Sequence, residues 1–587
     1  MSRTIKAICV LIGIFCTLNT IMPNSKTKGE VAAENRVVKG VWAATVFSLD
    51  FPKNVTTNDT ALREDIDRMI DNAKKLGFNT VFFQVRPSAD AFYKSEIFPW
   101  SQYLTGAQGE APQNNFDPLG YAVERAHANG IELHAWVNPY RVTATAKENA
   151  QQSERSIAKK YPNLVVEYSD GKLYLNPGVP ETNRLVTDGI LEIVRNYSVD
   201  GIHIDDYFYL GSDFPDAEAY TQYGGKFSDI GDWRRSNTYN LIKSVHDAIK
   251  GENKNIIFSV SPNGIWANKN SNSEGSRTNG KQAYYDYYAD TRAWVKDGLV
   301  DLIMPQIYWN IGYGAADFDE VARWWNTAAA GTGVKVCVGM AAYKAADEKD
   351  ESSPWYGAKG TEELKNQQNL LRTLENVEGY SMYRLGSLLK NEFVGAAVAD
   401  INRRSDSVFS DTADYPWAEE AVERLYEKGV VNGMGDGSFG CANNVSRADF
   451  TLMITRLMGK KADFSENFSD VTADKYYYKE IGIAKALGYA SGRGDNIFDP
   501  VGNISRQDMA VMAYRVLKSE GKISDGSVGE LSAKFSDGNE ISDYAKTAVA
   551  AMVKANYLSG YDTGDFKPQN CATRAETAVF MDKIMNK

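Results

Sequence analysis

The sequence predicts an α/β chain: a (β/α)8 TIM barrel followed by a separate, mostly α-helical module of three repeats. Two observations carry that prediction. From about residue 37 to residue 404, short β-rich apolar runs alternate with amphipathic helical stretches. From residue 409 onward a motif recurs three times, as Phe409-Ser410-Asp411, Phe468-Ser469-Asp470 and Phe535-Ser536-Asp537. A chain of 587 residues also exceeds what one hydrophobic core organises, so several domains are expected.

The elements follow in order. Arg3 and Lys6 precede an apolar run from Ala7 to about Met22, and Val31-Ala32-Ala33 offers small residues for cleavage. The run is shorter than the ~20 residues of a spanning helix, so residues 1–33 are expected to be an export signal, with no transmembrane anchor. Eight apolar runs come next, at 40–46, 80–86, 132–142, 201–209, 256–264, 300–309, 335–343 and 379–385. Helical patterns at 60–76, 119–129, 184–196, 232–250 and 287–298 lie between them. Asp59 or Thr60 suits the N-cap of the first helix, and Gly77 its end. Strands alternating with helices of this length build βαβ units and a parallel sheet. Eight of them fit a closed barrel over residues 34–405. A doubly wound sheet is the alternative, but no Gly-rich phosphate turn follows the first strand.

In the tail, each repeat also carries Ser446-Arg447-Ala448-Asp449, Ser505-Arg506-Gln507-Asp508 or Thr573-Arg574-Ala575-Glu576. The arginines are 59 and 68 residues apart, and Gly433, Gly492 and Gly560 keep both spacings. Units of this period stack, because none buries a core alone. The expected bounds are 406–460, 461–522 and 523–587. The hydroxyl and acid of each motif suit an N-cap and a capping box; the arginine is not required by either.

Composition narrows the function. A formal charge of −11 leaves no electrostatic footprint for nucleic acid. Cys9 and Cys16 depart with the signal, leaving Cys337, Cys441 and Cys571 without a CxxC, and the four histidines form no HExxH. Neither a disulfide framework, a zinc site nor a cofactor is expected. The 33 Tyr and 11 Trp lean toward sugar-stacking platforms.

In a barrel of this kind, chemistry sits at the strand C-terminal ends. These ends are polar and aromatic on five strands: Gln84-Val85-Arg86-Pro87, then Asp90; Trp136-Val137-Asn138-Pro139-Tyr140-Arg141; His203-Ile204-Asp205-Asp206-Tyr207; Ser261-Pro262-Asn263-Gly264; and Gln306-Ile307-Tyr308-Trp309. Side chains alternate along a strand. With Ile202 and Ile204 facing the helices, His203 and Asp205 face the interior, as do Gln84 with Arg86, Trp136 with Asn138, and Gln306 with Tyr308. Carboxylates, amides, arginine and aromatics together suit glycosidic bond hydrolysis, which needs one acid and a second carboxylate as base or nucleophile. Asp205 is the expected base or nucleophile. Asp206, Asp90 and Glu96, in falling order, are the options for the acid. Gln84, Arg86, Trp136, Asn138, Tyr140, His203, Tyr207, Asn263, Gln306, Tyr308 and Trp309 are the expected substrate-binding set. The alternative for Asp205-Asp206 is a capping or ion-pairing role.

These stretches, together with Gly40-Val41-Trp42 and Pro99-Trp100-Ser101, resemble the glycosyl hydrolase-like 10 barrels. The resemblance implies a (β/α)8 barrel acting on glycans, with peptide-free peptidoglycan strands one substrate of such proteins. The Gly-x-His-x-Asp run at Gly201 is also similar to the fourth-strand Gly-x-Arg-x-Asp of amylase-type barrels, where the Asp is the nucleophile. The tail resembles three S-layer homology repeats, which implies that Arg447, Arg506 and Arg574 contact an anionic secondary cell-wall polymer. The expectation is therefore a secreted, wall-anchored glycosidase acting on a polysaccharide. A non-catalytic, glycan-binding surface protein is the alternative.

Overall fold

The computed structural model describes residues 37–587, apart from positions 406 and 436 and the side chains at 530, 532 and 533. The expected export signal lies outside the described residues. Eight parallel strands close into a barrel in sequence order. They are β1 (Val38–Ala43), β2 (Thr80–Arg86), β3 (Glu132–Val137), β4 (Gly201–Ile204), β5 (Ile257–Val260), β6 (Leu302–Ile303), β7 (Lys335–Met340) and β8 (Val377–Met382). A principal helix follows each strand: α1 (Asp59–Lys75), α2 (Pro118–Ala128), α3 (Pro180–Asn196), α4 (Ile230–Glu252), α5 (Thr291–Lys296), α6 (Phe318–Ala329), α7 (Ala358–Leu371) and α8 (Glu392–Arg404). Asn58, one residue before the expected cap, accepts the Ala61 N–H at the start of α1. That helix buries Leu62, Ile66, Met69, Ile70 and Ala73, the 3–4 spacing of a single apolar face.

Strand parity sorts the barrel into two cores. Val81 and Phe83, Leu133 and Ala135, and Ile202 and Ile204 pack outward against the helices. Trp42, Phe82, Trp136, Leu302, Met304 and Cys337 fill the interior. The large rings fit because glycines stand beside them: a Cβ on Gly201 would lie 2.3 Å from His134 Nδ1, and one on Gly40 2.8 Å from Phe82. The strands end earlier than the apolar runs suggest. The fourth stops at Ile204, not residue 209, because Asp205 onward leaves the ladder to form the mouth.

The tail has its own core and two principal helices per repeat: α9 (Pro416–Glu427) and α10 (Arg447–Leu457), α11 (Tyr478–Ala486) and α12 (Arg506–Ser519), α13 (Asp543–Lys554) and α14 (Arg574–Met585). The repeats close a pseudo-threefold ring. Val445 N donates to Ala572 O at 3.0 Å, Ile504 N to Val445 O at 2.9 Å, and Ala572 N to Ile504 O at 3.2 Å. The Phe-Ser-Asp motifs have a local purpose. Asp411, Asp470 and Asp537 each accept two backbone N–H groups from the turn about 28–30 residues on, starting at Phe439, Phe498 and Phe566. Among the described residues, no helix is long and apolar enough to cross a membrane.

Candidate active site

The C-terminal ends of the strands enclose a cavity of about 220 Å³. Seven of the expected site residues line it: Gln84, Trp136, Asp205, Asp206, Tyr207, Gln306 and Tyr308. Trp42, Val46, Arg141, Ser261 and Tyr383 complete the wall. Trp42 and Tyr383 follow from the same parity rule applied to β1 and β8, whose ends the sequence reading leaves aside.

Asp205 sits at the centre and is 3% exposed. Trp136 Nε1 donates to its Oδ2 at 3.0 Å, and Asn138 Nδ2 donates to both oxygens at 3.2 Å. Asn138 can only be oriented one way, because its Oδ1 accepts the backbone N–H of Arg141 at 2.9 Å. Burial, reinforced by the neighbouring Asp206 charge, pushes Asp205 up to about 7 against the opposing pull of Arg141. Burial also raises Asp206, opposed by hydrogen bonding that includes the Gln306 amide and by the Arg141 charge. The Arg141 guanidinium is fixed by Nε and Nη2 donating to Pro87 O, and lies 4.9 Å from the Tyr207 ring centre. Two neighbouring carboxylates, with one fixed cation and amides around them, hold protons more tightly than free acids do.

Gln84 Oε1 accepts the backbone N–H groups of Thr45 and Val46 at 2.9 and 3.0 Å, which turns its Nε2 toward the mouth. The loop after β4 is held by a buried ion pair, Arg234 to Asp216 at 2.7 Å, with the guanidinium 4.8 Å from the Tyr288 ring. The first and last strands are tied by Asp50, which accepts the N–H of Ala44 and of Gly386 at 2.7 Å each.

Other expected residues lie elsewhere. Arg86 is a correction to the parity reading. The pairing of β2 with β3 shifts between Gln84 and Arg86, so Arg86 stands opposite Val137 and turns outward. It is fully buried beside the Phe98 ring (4.4 Å), under Gly189 of α3, whose missing Cβ makes the room. His203 faces inward as expected but lies beneath the cavity. Its Nε2 accepts the Trp42 indole N–H at 3.1 Å, so Nδ1 carries the proton and donates to Ser259 Oγ at 2.8 Å. Burial keeps that imidazole neutral, well below its ordinary pKa. Asn138 acts from behind, on Asp205. Asp90 is buried outside the cavity, near Ser101 and Glu148, and burial raises it to about 7. Tyr140 is buried and does not line the mouth. Asn263 Oδ1 accepts the Ile265 N–H at 3.0 Å in a turn. Trp309 packs beside Gly264, and its carbonyl accepts from Gln367 at 3.0 Å. Glu96 is exposed on the second strand's long loop. Among the described residues, the cavity wall carries only two carboxylates, Asp205 and Asp206.

The repeat arginines are also placed differently from an exposed ligand-reading fork. Arg447 donates from Nε to Phe498 O (3.0 Å) and from Nη2 to Ser491 O (3.3 Å). Arg506 makes the same pair to Phe566 O and Ser559 O, and Arg574 to Phe439 O and Asn432 O. All three are 9% exposed or less. Each stitches its repeat to the next around the ring, leaving Nη1 for the junction between them.

The closed (β/α)8 barrel thus carries carboxylates, amides and aromatics at its mouth. The chain belongs to the glycosyl hydrolase-like 10 family, whose model matches residues 37–357, and the S-layer homology model matches residues 408–451, 467–510 and 534–578. It is similar to "Glycosyl hydrolase YngK" of Bacillus subtilis, at 38% identity over 65% of this chain and 74% of that one. It is also similar to "Glycosyl hydrolase DigH" of Escherichia coli K12, at 37% identity over 61% of this chain and 85% of that one. Among solved structures, the glycoside hydrolase domain of PgaB (BpsB) from Bordetella bronchiseptica matches with a TM-score of 0.41 at 15% identity, covering 62% of this chain and 98% of that one.

Proposed function

We propose that this chain is a secreted glycoside hydrolase held at the cell wall by its repeats, with Asp205 and Asp206 as the reacting pair. The observation that carries this is the neighbouring carboxylates in the barrel mouth, with Trp136, Tyr207 and Tyr308 beside them as sugar-stacking surfaces. Burial raises the pKa of both acids, and the Asp206 charge raises Asp205 further. Trp136 and Asn138 donate to Asp205 and oppose, without overcoming, the upward push of burial, so Asp205 is charged and able to act as base or nucleophile above about pH 7. Asp206, the other carboxylate of the wall and also raised by burial, takes the part of proton donor to the leaving oxygen. A wall glycan whose sugars carry 2-acetamido groups supplies a further internal nucleophile, which removes the need for a carboxylate across the cavity. The repeats, as wall-polymer binders, would raise the local concentration of enzyme on such a substrate.

The test is release of reducing ends from peptide-free wall glycan by the wild type and by the Asp205→Asn and Asp206→Asn variants. Each variant is expected to lose about a thousandfold or more of the rate, as removal of a group acting in the transition state does, while still sedimenting with walls. A second reading, a glycan-binding barrel without catalysis, is favoured by the lack of an opposing carboxylate among the described wall residues. Wild-type protein that binds glycan and releases no reducing ends would establish that reading instead.

A further inference from the structure

The mouth cavity of about 220 Å³ is smaller than the ~300–1,000 Å³ that encloses a whole small ligand, so a polysaccharide reaching Asp205 leaves most of its length outside. The neighbouring sugar must therefore meet the rim. The turn after β1 supplies an unusual part of that rim. Val46 lines the cavity, and Phe47 and Ser48 follow it with φ of 56° and 50°. Both lie in the left-handed region, where glycine or asparagine is expected and a bulky ring is an outlier.

The backbone is held there from both sides. Gln84 Oε1 accepts from Thr45 N and Val46 N, Ser48 N donates to Thr45 O at 2.9 Å, and Ser48 Oγ donates to Tyr103 O at 3.2 Å. Arg384 Nη1 donates to Leu49 O at 2.9 Å, and Asp50 N to Ala44 O at 2.8 Å. None of these bonds uses the Phe47 side chain. Its ring is 53% exposed and meets Tyr103 edge-on, with ring centres 5.4 Å apart. Leu49 and Val55 are exposed as well. Thr56 N donates to Leu104 O at 2.9 Å, which brings Val55 to the short helix Gln102–Thr105 that carries Tyr103.

A scattered exposed apolar side chain is ordinary. This one is fixed at a strained position, where it neither fills the core nor relieves the strain. Strain kept without a packing purpose points to function. A flat ring already held in place also loses little entropy when a sugar face covers it.

We infer that Phe47 is the platform of a sugar-binding subsite on the rim, stacking the unit of the glycan next to the one in the cavity. The inference rests on the reading of the barrel as glycan-binding, with or without catalysis.

The experiment is calorimetric binding of soluble, peptide-free wall glycan of graded length to the full chain. Phe47→Asn, which suits the left-handed backbone, is expected to weaken binding of long fragments about three- to tenfold and of the disaccharide less than about twofold. Phe47→Trp keeps a ring and is expected to stay within about twofold at every length. The thermal midpoint of Phe47→Asn is expected to equal or exceed that of the wild type, because strain is relieved and no buried ring is lost. A lowered midpoint would make the ring a packing residue and overturn the inference. So would long fragments that bind the asparagine variant as tightly as the wild type, or a loss equal at all lengths. Wild-type chain that binds no fragment overturns the glycan reading of the barrel and this inference with it. Wild-type chain that binds with the expected length dependence but does not cleave overturns the hydrolase and supports the subsite.

Discussion

Asp205 shows what a single position in the mouth does to both chemistry and stability. Burial lifts its folded-state pKa to about 7 from an ordinary 3.8, so the folded chain favours the protonated acid. That contribution is complete below about pH 4 and is lost as the pH rises to about 7. Asp206 and Asp90 are raised by burial too, and act in the same direction. Asp205→Asn is therefore expected to stabilise the fold at pH 8 by up to about 4 kcal/mol, read as a higher thermal midpoint, and to give no gain at pH 4. Equal midpoints at pH 8 would show that Asp205 is charged in the fold without cost. The donors on Asp205 make a second prediction. Asn138→Asp replaces a donor by a like charge. The pH profile of the proposed glycan cleavage should then move upward by about one unit or more, and an unmoved profile would separate Asn138 from the titrating group.

At the scale of elements, one loop and one bulge decide the site. The loop after β4 carries Asp205 to Tyr207 and is anchored by Asp216 and Arg234, each 3% exposed or less in its side chain. Removing one partner of such a pair strands the other charge, so Asp216→Ala is expected to cost about 3–5 kcal/mol, read by denaturant unfolding. A cost under about 1 kcal/mol would show that the pair does not hold the loop. Much of this level is legible in sequence. The alternation of β4 places His203 and Asp205 inward, and the same rule places Gln84, Trp136 and Asn138. It fails at Arg86, because one extra residue in the β2–β3 pairing reverses the facing of everything after it. Nothing local to 84–86 announces that bulge; it depends on how β3 and α3 pack around the strand.

At the scale of the whole molecule, the barrel and the ring of repeats have separate cores and adjoin at the end of α8. Arg372 donates to Arg404 O and Ser407 O at 2.8 and 2.6 Å, and Arg404 pairs with Asp414, so the first repeat is mounted directly on the last barrel helix. Within the ring, the arginine left over by helix capping proves to be a fastener. Arg506→Ala would free two backbone carbonyls at a repeat junction. We expect a loss of about 1–3 kcal/mol from the tail's unfolding transition. An unchanged transition would show that these two bonds do not hold the junction.

The sequence by itself determined the eight β-rich runs alternating with helical stretches and the threefold tail, because periodicity and repetition are local properties that survive without knowledge of contacts. It also placed Asp205-Asp206 at a strand end. The tertiary structure decided which strand-end residues share one cavity, that His203 supports the floor and Arg86 the shell, and that the repeat arginines join the ring. Those outcomes depend on register, ring closure and burial, which arise only when segments far apart in the chain meet.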